Sequence, residues 1–136
     1  MNLGIIQGRL SLPVNGHIQE FPNNWMDEFV ILNECGLTHI EWLITKGSSN
    51  TNPAFSDDIF LEHLPISSLC ADTLVDNRIT NETYVEHHLT PICESAVRNQ
   101  IEMITIPLLE GSSVQDPSTR NDFKNIIWKF AKKYPS

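Results

Sequence analysis

Four short apolar stretches, each followed by a segment with helical spacing, recur along the chain at roughly 30-residue intervals. The stretches are Leu3–Gln7, Thr38–Ile44, Pro65–Ala71 and Glu102–Leu108. That interval leaves room for a helical crossover, so the strands are expected to run parallel. Their apolar character suits strands covered on both faces. Four such units make half of an eight-stranded (β/α) barrel, and a fifth strand is due where the sequence reads Lys133-Tyr134-Pro135-Ser136. The predicted fold is therefore α/β, a (β/α)4 half of a TIM barrel spanning residues 1–136. An open, doubly wound four-stranded sheet fits the same pattern, though neither GxGxxG nor GxxxxGK[ST] supports a nucleotide-binding version.

The helical segments carry their own signals. Asn23 or Asn24 can cap a first helix bearing Trp25, Phe29 and Leu32, and Gly36 suits the left-handed position past its end. Ser56-Asp57-Asp58 opens a short second helix running to Leu64. A third begins near Thr80 with Val85, Leu89, Ile92, Cys93 and Ala96 on one stripe. Pro91 falls inside that stripe, predicting a kink or a fresh start capped by Thr90. Ser118 or Asp116 caps the last helix, whose apolar face holds Phe123, Ile126, Ile127, Phe130, Ala131 and Tyr134.

Composition narrows the function. A hydrophobic fraction of 40% in 136 residues supports a real core. No apolar run reaches the ~20 residues of a membrane span, and no signal peptide is legible, so a cytoplasmic protein without a membrane partner is expected. Cys35, Cys70 and Cys93 lack metal-type or CxxC spacing and are expected to be reduced. The net charge of −8 repels phosphate backbones, which argues against nucleic acid as a partner.

The segments Gly4-Ile5-Ile6-Gln7-Gly8-Arg9-Leu10, Ile18-Gln19-Glu20-Phe21-Pro22, Trp25, Glu28-Phe29, Gly36-Leu37, Ile40-Glu41-Trp42, Cys70-Ala71-Asp72 and Ile106-Pro107-Leu108 together resemble the xylose isomerase-like barrel superfamily, in its sugar phosphate isomerase/epimerase branch. The resemblance covers the whole chain but only the N-terminal half of such a barrel. It implies a divalent metal such as Mn, Mg, Co or Zn at the C-terminal mouth of a complete barrel. It also implies movement of a proton or hydride between adjacent carbons of a sugar or sugar phosphate. The metal-binding carboxylates and His of that branch come mainly from strands five to eight, so this half is expected to hold neither metal ligands nor catalytic residues and to be inactive alone. Its other half would come from a separate C-terminal half or from a homodimer partner. The alternative is a non-catalytic half-barrel that binds or pairs.

The resemblance implies a substrate-binding wall of Gln7, Arg9, Glu41, Trp42 and Asp72; Gln7 and Arg9 follow strand one on the side where barrel sites form. Arg9 offers a planar fork of donors to a phosphate, carboxylate or hydroxyl, or else a salt bridge to Glu41 or Asp72. Glu41 lies between Ile40 and Trp42, so its carboxylate must meet Arg9 or point into the mouth. Trp42 is either packing or a sugar-stacking wall. Asp76 is expected to organise the loop with Asn77 and Arg78. His87-His88 point about 100° apart on a helix and are read as solvent-facing rather than as a metal pair.

Overall fold

The computed structural model describes residues 2–47, 51–57, 61–75 and 77–134. It is an α/β structure with a four-stranded parallel sheet: β1 Gly4–Ile6, β2 His39–Leu43, β3 Ile66–Cys70 and β4 Ile104–Thr105, hydrogen-bonded in that order. The described residues also form three α-helices, α1 Asp27–Glu34, α2 Glu82–Arg98 and α3 Pro117–Lys133.

Local chemistry explains most of these boundaries. Asn81 starts α2 by accepting from the Tyr84 N–H at 3.1 Å. Of the two expected caps for α3, Asp116 serves, accepting from the Thr119 N–H at 2.9 Å, and Pro117 occupies the first turn where its missing N–H costs nothing. Gly36 has φ +70, as its place after α1 requires. The first helix differs from expectation: neither Asn23 nor Asn24 caps it by a side chain, and Trp25 stands just before it. A fresh start at Pro91 does not occur: α2 runs through it as one helix, and the Thr90 hydroxyl is buried with no hydrogen-bond partner among the described residues instead of capping.

Around the second expected helix the described residues form two 3₁₀ turns, Pro53–Phe55 before it and Leu61–His63 near its end, and residues 58–60 lie outside the described residues. Pro53 and the Asn52 side chain, which accepts from the Ala54 N–H, close the first turn too early for a helix opening at Ser56. Strand four is shorter than expected. It pairs on one side only, and Pro107 can donate nothing to a further ladder.

Alternation sorts the strand residues onto two faces. Ile5, Ile40, Trp42, Leu69 and Ile104 lie in register on one face and join Phe29, Leu32, Val85, Leu89, Ile92 and Ile126 in a single core. The other face carries Ile6, Glu41, Leu43, Ser68, Cys70 and Thr105, none of which belongs to that core. The helices thus cover one face. Right-handed crossovers between strands laid down in sequence order produce this arrangement, because each helix returns on the same side.

Candidate functional site

The face away from the helices, where Leu43, Ser68 and Cys70 are buried and Ile6 is exposed, holds a carboxylate fixed in place. Glu41 Oε1 accepts from the Ser68 hydroxyl at 2.9 Å and from the Thr105 hydroxyl at 2.6 Å. Three neighbouring strands therefore meet at one oxygen. A β-bulge makes this alignment: Ile40 pairs with Ile66 but Glu41 pairs with Ser68, so the extra residue Ser67 moves Ser68 opposite the carboxylate. Glu41 Oε2 accepts no hydrogen bond among the described residues. Charge-assisted bonds of this kind are the stronger ones, so the side chain is held ready and not merely tolerated. Cys70 lies on the same face one step further along β3. Burial, then the charges of Glu41 and Asp72, push its thiol up to about 12, so it stays protonated.

The loop after β1 is built around a second carboxylate. Glu28 is buried in the first turn of α1 and accepts three backbone N–H groups: Gly8 at 2.9 Å on Oε2, and Leu10 at 3.1 Å and Ser11 at 3.0 Å on Oε1. Gly8 turns at φ +83, and a Cβ there would lie 1.8 Å from the Gln19 carbonyl oxygen. The Gln7-Gly8-Arg9-Leu10 segment is thus dictated by backbone geometry as much as by any ligand.

The five expected substrate residues separate. Arg9 is exposed beyond β1, with Nη1 donating to the Gln7 carbonyl at 3.4 Å, and it makes no ion pair with Glu41; hydroxyls take the place expected for Arg9. Asp72 begins the 3₁₀ turn after β3, half-buried and with an interaction partner. Gln7 is 1% exposed; its Oε1 accepts from the Leu43 N–H at 2.9 Å, and its Nε2 is buried without a partner. Direct substrate contact by Gln7 does not fit that burial, because its carboxamide extends the β1–β2 ladder. Trp42 is fully buried on the helix-covered face, edge-on to Phe21 and Trp25 at 5.6 and 5.1 Å, with its indole N–H donating to Asn52 at 2.9 Å. A sugar-stacking role for Trp42 is corrected to packing. Asp76 lies outside the described residues.

A separate cavity of about 360 Å³ opens on the helix side, beyond the ends of β2 and β3, among Thr45, Thr73, His88, Glu94 and Arg98. His88 corrects the reading of a solvent-facing pair. It is half-buried against Tyr84, ring centroids 4.4 Å apart, with Nδ1 3.4 Å from the Thr73 hydroxyl, and only His87 is exposed. Burial, then the charges of His87 and Lys46, holds the His88 imidazole below its ordinary range. The signal for both missed residues was faint: Glu28 looked like a dipole-matching acid in a first helical turn, and His88 shared its helix stripe with Tyr84.

Among the described residues no three His, Cys, Asp or Glu side chains converge as a divalent ion requires. Glu41 and Asp72 both act by charge on Cys70, whose thiol keeps its proton. The described residues do not by themselves fit a metal. No helix of the described residues is long and apolar enough to cross a membrane. Searches against protein-family models and against curated proteins found no match to this sequence.

Proposed function

We propose that the chain is the N-terminal half of a (β/α)8 barrel that binds a sugar or sugar phosphate, in the manner of the isomerases and epimerases it resembles. The observation that carries this reading is the pairing of a sheet wound in sequence order with a polar, hydrogen-bonded cluster on the face that the described helices leave free. A doubly wound sheet has helices on both faces and keeps no such face. In a barrel it is the lumen. Glu41 Oε2 would accept a hydrogen bond from a sugar hydroxyl, while Ser68 and Thr105 fix the direction from which it does so. Arg9 and Asp72, both past the C-terminal ends of their strands, would meet the more distant polar groups, Arg9 suiting a phosphate. Gln7 and Trp42 would support these residues from beneath.

The chain's own share of the reaction is to bind and orient. Proton movement between adjacent carbons would need groups from the other half, so the purified 136-residue chain is expected to turn over no aldose or ketose with or without added divalent metal. The test is a calorimetric titration of the chain with aldose and ketose phosphates, repeated with Glu41→Gln. Saturable binding that weakens about tenfold or more in the variant, the loss of one charged hydrogen bond, is expected. Equal binding by the variant would remove Glu41 from the site, and no binding by the wild-type chain would overturn the reading.

A further inference from the structure

Charge is distributed unevenly in this molecule. Helix α3 carries Arg120, Lys124, Lys129, Lys132 and Lys133 against the single acid Asp122, a formal charge of +4, while the remainder of the chain carries −12 of the −8 total. The two flanks of α3 are treated differently. On one, Lys129 bonds Glu82 of α2, and Glu86 of α2 lines the same seam with Lys129 and Lys133. On the other, Arg120, Lys124, Trp128 and Lys132 recur every four residues and form one exposed row. At about 100° per residue the row lies on the side away from the α2 seam, with the core residues Ile126, Phe130 and Ile127 between the two.

That row has no acidic partner among the described residues. Lys124 makes no hydrogen bond or ion pair, Arg120 donates only to the Gln115 carbonyl at 3.1 Å, and Lys132 rests over the Trp128 ring at 3.4 Å from its centroid. Trp128 is 60% exposed, a large indole with a cation as its cover. The α2 flank shows what such a row takes when it is paired: the carboxylates of an adjacent helix.

We infer that the Arg120–Lys124–Trp128–Lys132 row is the docking surface for an acidic amphipathic helix, supplied by the polypeptide that completes the barrel. The inference rests on the half-barrel reading for the source of the helix, and on charge and spacing for its chemistry. The row is about 18 Å long, so the partner presents carboxylates about 6 Å apart, at i and i+4, around one apolar side chain seated on Trp128. A nucleic acid or an anionic bilayer fits less well, because its extended negative charge would also face the −12 remainder, whereas a short helix meets the row alone within a screening length of about 8 Å.

The test uses the intact chain and a side-chain-stapled helical peptide of about 15 residues, about 22 Å long, with Glu at three i, i+4 positions around one Leu. Trp128 is the exposed indole, so its emission reports docking. Expected is a saturable blue shift whose Kd rises at least tenfold between 50 and 500 mM salt. It should vanish in Lys124→Glu/Lys132→Glu, whose circular dichroism should match wild type, and return when that variant meets a Lys version of the peptide. No blue shift, or undiminished binding by the double variant, would overturn the inference. So would a tighter Trp128 response to heparin or phosphatidylserine vesicles, or sedimentation showing that the row is covered by a second copy. Peptide docking without sugar binding at Glu41 would remove the substrate reading and keep the helix partner; sugar binding without docking would do the reverse.

Discussion

Glu28 shows how much one buried side chain can organise. Its two oxygens satisfy three N–H groups of the loop after β1, and donors turned inward toward this buried carboxylate would be costly to leave unpaired. Glu28→Gln keeps the shape but turns an amide N–H2 toward at least one of those donors, so a loss of about 2 kcal/mol is expected in a denaturant titration. Gly8→Ala should cost about 3 kcal/mol or more, combining positive φ with the collision against Gln19. A full-strength wild-type midpoint for either variant would contradict the loop's construction. His88 gives a pH prediction. Its folded-state imidazole binds a proton less readily than in the unfolded chain, where the ordinary value is 6.5. The unfolded state therefore holds more protons below that value, and stability falls as pH drops through 6.5 toward the depressed folded value. The stability difference between wild type and His88→Gln should shrink on acidification from pH 7.5 to 5; a difference that stays flat or grows would be the contrary result.

At the scale of elements, the order of strands and helices was legible because short apolar runs and period-3.6 patterns alternate along the chain. The Ser56–Leu64 segment was misread because Asn52 and Pro53 set a turn chemistry that outranks its short apolar spacing. The site was legible by position but not by role. Strand ends pointed to Glu41, yet alternation alone could not say that Trp42 faces the helices or that hydroxyls 27 and 64 residues away would take the place expected for Arg9. Burial costs demanded a partner for Glu41, and several polar groups could have met the demand. Helix α2 carries a testable anomaly. Pro91 removes one helical N–H and crowds the carbonyl a turn earlier, yet the helix continues, held by Val85, Leu89, Ile92 and Ala96 in the core. Pro91→Ala is expected to raise stability by about 1–3 kcal/mol, read from the urea midpoint. A destabilised variant would mean the ring's packing outweighs its backbone cost.

For the whole molecule, the consequence of winding in sequence order is a sheet whose described helices lie on one face. Strands β1 and β4 each pair on one side only among the described residues, and such edges invite further strands. Ile6 and Met103, 41% and 58% exposed, add apolar surface near the Glu41 cluster. Sedimentation at rising concentration is expected to show self-association, opposed by the charge of −8 and strengthened by salt that screens it. A chain that stays monomeric at all salt concentrations and binds no hydrophobic dye would show that the face is already covered.

The central claim is that the part of the Glu41 face exposed in the isolated chain, at Ile6 and Met103, is the surface the proposed second half would cover. Met103 lies one residue before β4 and, by alternation, on that face, so a thiol placed there reports directly on it. The measurement is the maleimide labelling rate of Met103→Cys in a Cys35→Ser background, at a concentration where the chain sediments as a monomer. Labelling at the rate of a free thiol is the predicted result. Protection of about a hundredfold in that monomer, about 2.7 kcal/mol of closure, would mean that the chain covers its own sheet on both sides and is no half-barrel.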